Sequence, residues 1–307
     1  MSTLNNGHVR VNDALSFENV TASRSERINK RPAIEAKAVV LDLDGTLLNS
    51  DGKIPAGAKE VLGGIEESGR PIILASARPQ QSVLSIQQEL NLSGAVIALN
   101  GAWIGTSQAT LLTCPLAQTW VDALLERSLS GTLVVNLYTT EGWYVSDLQH
   151  TAILNECAAV GFRPSGAITD WRNESEPTDA VLKLLLQGEP EQLMSIMKEF
   201  RESELMMSLS SPDYLEIAGR FGGPREPRPV TKLNALHRVL SWLALTPADA
   251  LAFGDGVNDA SMLAAAGHGV SFQHASQAVQ YFADEILSDP SGDGVVRYLV
   301  NCNFTRT

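Results

Sequence analysis

Residues 38–47, with the sequence AVVLDLDGTL, place two carboxylates at the end of an apolar run. The run contains β-branched residues and does not alternate with polar ones, which is typical of a strand covered on both faces in a parallel α/β sheet. Asp42 follows the run directly and Asp44 comes two residues later, and ligands of such sheets bind beyond the carboxyl ends of the strands. The alternative is a surface turn, because Asp-Gly is a common turn dipeptide and Thr46 can cap a following helix.

Two further apolar runs, residues 71–75 and 250–253, also end in polar residues. Ahead of the second run, Lys232 opens a segment whose apolar residues recur at helical spacing, so a cation stands at the start of a predicted amphipathic helix. Carboxylates that lie close together repel one another unless a cation or a proton intervenes, which favours a divalent metal among them. The polar residues after the two runs are Ser76 and Arg78 in the first case, and Asp255, Asn258 and Asp259 in the second.

Five elements of the chain, in this order, resemble the haloacid dehalogenase superfamily and, within it, the Cof-type phosphatases. The likeness extends from about residue 36 to residue 299. It implies an α/β fold, with a Rossmann-like parallel-sheet core and an inserted α+β cap. The five elements are DLDGTLL at 42–48, Ser76, Asn100-Gly101-Ala102, Val230-Thr231-Lys232 and AFGDGVNDASML at 252–263.

The resemblance also implies a role for each motif residue. Asp42 is the expected nucleophile, which forms an aspartyl-phosphate, and Asp44 is the expected acid and base, which protonates the leaving alcohol and then activates water. Mg²⁺ is the expected cofactor, because it prefers oxygen ligands in octahedral geometry. Its expected ligands are Asp42, the backbone carbonyl of Asp44, Asp255 and Asp259, and the expected phosphate-binding residues are Ser76, Lys232 and Asn258.

Two positions leave alternatives open. Arg78 can contact the substrate or form a structural ion pair. His274 stands where the family usually has an asparagine, so the supporting contact that this asparagine makes is in doubt. The histidines are not spaced as a metal-ligand cluster.

The motifs divide the chain into three parts. Residues 36–113 and 221–307 carry them and form the predicted catalytic core, and residues 114–220 form the predicted cap, which sets substrate specificity. Residues 1–35 are polar, without an apolar pattern, and are predicted to be a disordered extension.

The cap is predicted to contain a hairpin over 132–145, helices over 148–160 and 191–201, a strand over 180–186 and paired strands over 206–217. Its candidate lid aromatics, for each of which core packing is the better explanation, are Tyr138, Trp143, Tyr144 and Tyr214.

The sequence therefore predicts a Mg²⁺-dependent phosphatase that hydrolyses a small phosphate monoester, either a sugar phosphate or a nucleotide-derived metabolite, through an aspartyl-phosphate. The alternatives are a phosphomutase that uses the same intermediate and a non-catalytic regulatory module on the same fold. A monomer or a homodimer is compatible with the sequence.

Composition excludes several other classes. The net charge of −12 and the pI near 4.9 argue against a nucleic-acid partner, and no apolar run is long enough to predict a membrane span. The three cysteines lack both CxxC spacing and an even framework, which favours a reducing cytoplasm. Arginines and serines within residues 1–35 leave an organelle transit peptide open as an alternative, although the acidic residues there argue against it.

Overall fold

The computed structural model describes residues 35–174, 179–221, 228–288 and 292–302. Residues 1–34 lie outside these ranges, so the disorder of the extension stays a prediction. The three cysteines are free, as their spacing predicts.

The chain forms its helices and strands in three successive stretches. The first contains β1 (Ala38–Leu41), α1 (Ala58–Glu67), β2 (Ile72–Ala75), α2 (Gln80–Leu90), β3 (Val96–Ala98), β4 (Trp103–Gly105) and β5 (Thr110–Thr113). The second contains α3 (Gln118–Leu129), β6 (Val134–Thr139), β7 (Trp143–Val145), α4 (Thr151–Val160), β8 (Gly166–Ala167), α5 (Ile168–Glu174), β9 (Val181–Gln187), α6 (Pro190–Glu199), β10 (Met206–Ser211) and β11 (Tyr214–Ala218). The third contains β12 (Arg220–Phe221), β13 (Arg228–Pro229), α7 (Lys232–Trp242), β14 (Ala250–Phe253), α8 (Ala260–Ala265), β15 (His268–Phe272), α9 (Gln277–Gln280), β16 (Glu285–Leu287) and α10 (Asp293–Asn301).

The first and third stretches build one eight-stranded sheet. Its order is β16-β15-β14-β1-β2-β3-β4-β5, and all its pairs are parallel except those that β4 and β5 make at one edge. Leu41 at the end of β1 pairs with Leu74 of β2 on one side and with Phe253 of β14 on the other. The predicted α/β core is thereby confirmed, and the polar residues that follow these three strands lie at the same edge of the sheet.

Helices cover the centre of this sheet. All residues of β1 and β14 are fully buried, as expected for strands with no polar alternation. Helix α1 contacts α2 and α10, whereas α7 contacts α8. Helix α7 buries Leu236, Val239 and Leu240 on one stripe, and the Thr231 side chain caps it by accepting a hydrogen bond from the Asn234 amide at 3.2 Å. Lys232 is therefore the first residue of α7, as the periodicity predicts.

The second stretch forms a separate six-stranded sheet in the order β10-β11-β9-β6-β7-β8. Its pairs are antiparallel apart from β7 with β8. Because side chains alternate between the faces of a strand, one face packs Val135, Leu137 and Leu184 with residues of α3 and α6 into a core of its own. The boundaries of the predicted cap stay a prediction, and every strand of this second sheet lies within them.

The predicted elements of this region are present, with one clear shift. The helix predicted over 148–160 begins at Thr151 instead. The carboxylate of Asp147 accepts a hydrogen bond from the Gln149 amide and Nδ1 of His150 accepts one from the Ala152 amide. These side chains hold residues 147–150 in a turn and cap, which competes with the helical backbone hydrogen bonds.

Side-chain hydrogen bonds connect the core to the second sheet. The amide of Gln80, at the start of α2, donates to the carbonyl oxygens of Thr139 at 2.9 Å and Thr140 at 3.2 Å. The amide of Asn100, in the turn between β3 and β4, donates to the Glu216 carboxylate on β11 at 3.0 Å. Among the residues that the structure describes, no helix combines the length and apolar character required to cross a membrane.

Candidate active site

Asp42 lies at the carboxyl end of β1 and is held by a buried lysine. Nζ of Lys232 is 2.6 Å from Oδ1 of Asp42 and 2.7 Å from Oδ1 of Asp259, and all three side chains are at most 7% exposed. The two acids follow the neighbouring strands β1 and β14, and Lys232 is the first residue of α7. The fourth and fifth sequence motifs thus converge with the first, as expected for a phosphate site.

A second group of contacts fixes the turn after β1. The backbone over Leu43–Leu47 is kinked, and Gly45 has φ of +70°, a conformation that favours glycine. A Cβ at Gly45 would collide with the Asp255 carboxylate. The hydroxyl of Thr46 donates to Oδ1 of Asp255 at 3.2 Å, and Nε2 of His274 donates to the Gly45 carbonyl at 2.9 Å. His274 therefore supports the turn after β1 through its side chain.

Three carboxylates form a compact cluster with the composition of a metal site. One oxygen each from Asp42, Asp255 and Asp259 lies within 4.8 Å of the others. One ammonium, that of Lys232, pairs with two of them, so the ionised cluster carries more negative than positive charge. Burial and the Asp259 carboxylate raise the pKa of Asp42 to about 7, against the charge of Lys232, and burial also raises the pKa of Asp255 and Asp259. Hard oxygen donors with excess negative charge fit Mg²⁺, which would favour the ionised carboxylates.

Asp44 does not join this cluster with its side chain. Its carboxylate is 58% exposed and pairs with Arg78 in two parallel hydrogen bonds, Nε to Oδ2 at 2.8 Å and Nη2 to Oδ1 at 2.6 Å. Ser76 is buried directly after β2, the strand next to β1, and its hydroxyl accepts a hydrogen bond from the Arg78 amide at 3.1 Å. Arg78 thus forms an ion pair, and its partner is the predicted acid and base.

Asn258 takes part in a polar chain that runs from the core into the second sheet. Its amide donates to Oδ1 of Asn100 at 2.9 Å, the Asn100 amide donates to Glu216, and Nζ of Lys183 is 2.8 Å from the Glu216 carboxylate. Gly101, with φ of +110°, lets the Asn100 turn approach α7, because a Cβ there would lie 2.8 Å from the Thr231 carbonyl oxygen. Asn258 thus connects the acid cluster to Glu216 and Lys183.

A cavity of about 260 Å³ opens between the two sheets beside Asp44 and Arg78. Its wall from the second sheet contains Lys183, Tyr214 and Glu216, and helix α4 contributes Glu156. The candidate lid aromatics differ in whether they contact this cavity. Tyr138 and Tyr214 line the cavity, whereas Trp143 is fully buried and donates from Nε1 to Asn136.

Sequence reasoning gave no role to several residues of this region, namely Asn100, Glu156, Lys183 and Glu216. Two of them carried a signal. Lys183 interrupts an otherwise apolar strand, VLKLLL, and Asn100 lies in one of the quoted motifs. A buried charge needs a partner, so Lys183 predicts an acid on a neighbouring strand. Glu156 lies on a mixed helical surface, and no local pattern distinguishes it.

Comparison with known proteins gives a consistent result. The sequence profile of the haloacid dehalogenase-like hydrolase family matches residues 39–299. The chain is 27% identical over 273 residues to the 5-amino-6-(5-phospho-D-ribitylamino)uracil phosphatase of Bacillus subtilis, with 87% of this chain and 96% of the relative covered. It is 24% identical over 269 residues to the HMP-PP phosphatase of Yersinia pestis, with 86% and 94% covered. A solved haloacid dehalogenase-like hydrolase from Bacteroides thetaiotaomicron superposes with a TM-score of 0.75 at 26% identity, over 87% of this chain and 99% of the other.

Proposed function

The chain belongs to the haloacid dehalogenase-like hydrolases as a Cof-type phosphatase, and from this membership we propose that it hydrolyses a small phosphate monoester through an aspartyl-phosphate on Asp42, with Mg²⁺ as cofactor. The observation that carries the proposal is the position of Asp42. It is a buried carboxylate at the end of the central strand, held by Lys232 and grouped with two further acids. Neither relative's substrate is assigned to this chain, because the two named substrates differ and the identities are low.

We assign the first step to the free oxygen of Asp42. Lys232 holds Oδ1, so Oδ2 attacks phosphorus, the P–Oδ2 bond forms and the bond from phosphorus to the leaving oxygen breaks. Asp44, exposed beside the cavity, gives its proton to the leaving oxygen. We assign binding of the phosphate oxygens to the Lys232 ammonium and the Ser76 hydroxyl, with Asn258 supporting the same region.

The second step returns the enzyme to its starting state. Asp44 accepts a proton from water, the water oxygen bonds to phosphorus and the P–Oδ2 bond breaks, which releases inorganic phosphate and regenerates Asp42. Mg²⁺ held by Asp42, Asp255, Asp259 and the Asp44 carbonyl would supply positive charge beside the phosphate oxygens. A phosphomutase would share the first step, but both named relatives are phosphatases. A non-catalytic module would have no need of Asp44.

Two variants test the division of roles, with Mg²⁺ present and with EDTA. Asp42→Asn should abolish turnover of both an aryl phosphate and a hexose 6-phosphate and leave no phosphoenzyme in an acid quench. Asp44→Asn should lose about 10²–10⁴-fold with the hexose phosphate, and less with the aryl phosphate, whose better leaving group needs less protonation. EDTA should stop the wild type.

Three results would contradict the proposal. These are labelled phosphate trapped on the Asp42→Asn variant, wild-type rates with Asp44→Asn on both substrates, and full activity in EDTA. Production of an isomeric sugar phosphate without phosphate release would favour the phosphomutase.

A further inference from the structure

The cavity beside Asp44 is the space that the leaving alcohol must occupy if the proposed function holds. It borders the exposed carboxylate of the predicted general acid. At about 260 Å³ it is smaller than the roughly 300–1,000 Å³ pockets that take drug-sized ligands. Its size therefore fits the alcohol part of a small metabolite.

Among the residues that the structure describes, the charges that face this cavity are paired within the protein with one exception. Arg78 pairs with Asp44, and Lys183 pairs with Glu216 at 2.8 Å. Glu156 also lines the cavity from α4, yet its carboxylate makes no hydrogen bond or ion pair with any residue in the described part of the chain. Burial raises the pKa of Glu156, and the more distant Lys183 and Arg78 oppose this. Glu156 is thus a partly buried acceptor that faces the leaving group without a protein donor.

We propose that Glu156 is a specificity residue that selects the leaving alcohol. Its carboxylate accepts hydrogen bonds from hydroxyl or amine donors on that alcohol and repels a second anionic group there. The cations of the cavity wall do not offset this repulsion, because each already has an acid partner at 2.6–2.8 Å. The substrate class that follows is a small phosphate monoester whose alcohol carries hydrogen-bond donors and no further phosphate or carboxylate.

Competition against an aryl phosphate measures this selection even for compounds that turn over slowly. We would determine inhibition constants of glucose 6-phosphate, glucosamine 6-phosphate and 6-phosphogluconate against aryl phosphate hydrolysis. The full chain in Mg²⁺ would be compared with its Glu156→Gln variant. The wild type should bind the hydroxyl and amine compounds about 10-fold or more tightly than the carboxylate compound, since a hydrogen bond to a charged group is worth at least that much. Glucosamine 6-phosphate should bind more tightly than glucose 6-phosphate if the site prefers a protonated amine. The two compounds should bind equally tightly if hydroxyl donors are sufficient.

Glu156→Gln should weaken binding of the two donor compounds about 10-fold and reduce their preference over 6-phosphogluconate. Its kcat/KM on the aryl phosphate, which has no donor on its ring, should fall by a smaller factor than the affinity for the two donor compounds. Glu191→Gln, an exposed acid on α6 outside the cavity, is the matched control and should change none of these values.

Equal binding of all three compounds by the wild type would overturn the proposal, as would an equal loss for all substrates in Glu156→Gln. Absence of inhibition by all three would overturn the substrate class. A wrong proposed function would give a different result. The wild type would then not hydrolyse the aryl phosphate, or the Asp42→Asn variant would still hydrolyse it.

Discussion

Arg78 and Asp44 join the ends of two neighbouring strands through two charge-assisted hydrogen bonds. The Arg78 side chain is 11% exposed, and its Nη1 also donates to Ser82 at 3.2 Å, so the guanidinium is held in place from α2. A bidentate pair of this kind fixes the direction of a carboxylate as well as its position. We therefore expect Arg78 to act as a positioning residue for Asp44.

A double-mutant cycle tests this role. Arg78→Ala and Asp44→Asn should each lower kcat/KM for a hexose 6-phosphate by about 10-fold or more. The double variant should lose little more than the worse single variant, because both changes remove the same positioned acid. Arg127→Ala, which removes a more exposed ion pair with Glu199, is the control. Losses that multiply would instead assign Arg78 to direct substrate binding.

At the scale of elements, β9 and β11 are adjacent strands that carry opposite charges on the face towards the core. The side chains of Lys183 and Glu216 are 5% and 18% exposed. Although burial raises the pKa of Glu216, the charge of Lys183 and hydrogen bonds from Lys183, Asn100 and Ser210 lower it overall. Removal of one member of such a pair leaves an uncompensated charge, which costs more than removal of both.

Lys183→Met should therefore lower the free energy of unfolding by about 3 kcal/mol, and Lys183→Met with Glu216→Gln should recover most of this loss. Urea unfolding at neutral pH measures both, with the exposed Lys198→Met as control.

The Lys183–Glu216 pair should also make stability depend on pH. Because the pKa of Glu216 is lowered, the pair stabilises the protein at pH values above the ordinary glutamate pKa of 4.5. This stabilisation is lost as the pH falls through the folded pKa. An effect of Lys183→Met no larger than that of the control would show that the pair does not stabilise the fold.

At the scale of the whole molecule, the acid cluster joins distant parts of the chain. Asp42 follows a strand of the first stretch, and Asp255 and Asp259 follow a strand of the third, with the whole second sheet between them in sequence. A cation that binds the folded cluster and not the unfolded chain must stabilise the entire fold.

Mg²⁺ should accordingly raise the melting temperature of metal-free protein by several degrees. A ligand concentration 100 times Kd adds about 2.7 kcal/mol to the free energy of unfolding. Each kcal/mol raises the melting temperature by about 2–4 °C in proteins of 150–250 residues. Asp255→Asn should shift the Mg²⁺ titration to at least about 10-fold higher concentration. The exposed Asp122→Asn variant is the control. An unchanged titration would remove Asp255 from the ligand set.

Local patterns were enough to predict the core of this protein. The apolar runs before Asp42, Ser76 and Asp255 are buried strands, because burial removes their apolar surface from water. Parallel pairing then brings their ends to one edge, so the convergence of Asp42, Asp259 and Lys232 follows from motif order and sheet geometry.

Contacts between segments that are distant in sequence could not be read in the same way. The pairing of Arg78 with Asp44, the support of Gly45 by His274 and the position of Glu156 depend on how side chains from separate elements meet. Spacing along the chain predicts which face of its own strand or helix a residue occupies, but not which residues of other elements it contacts. The cavity beside Asp44 therefore depends on how the second sheet packs on the core, because side chains of both line it.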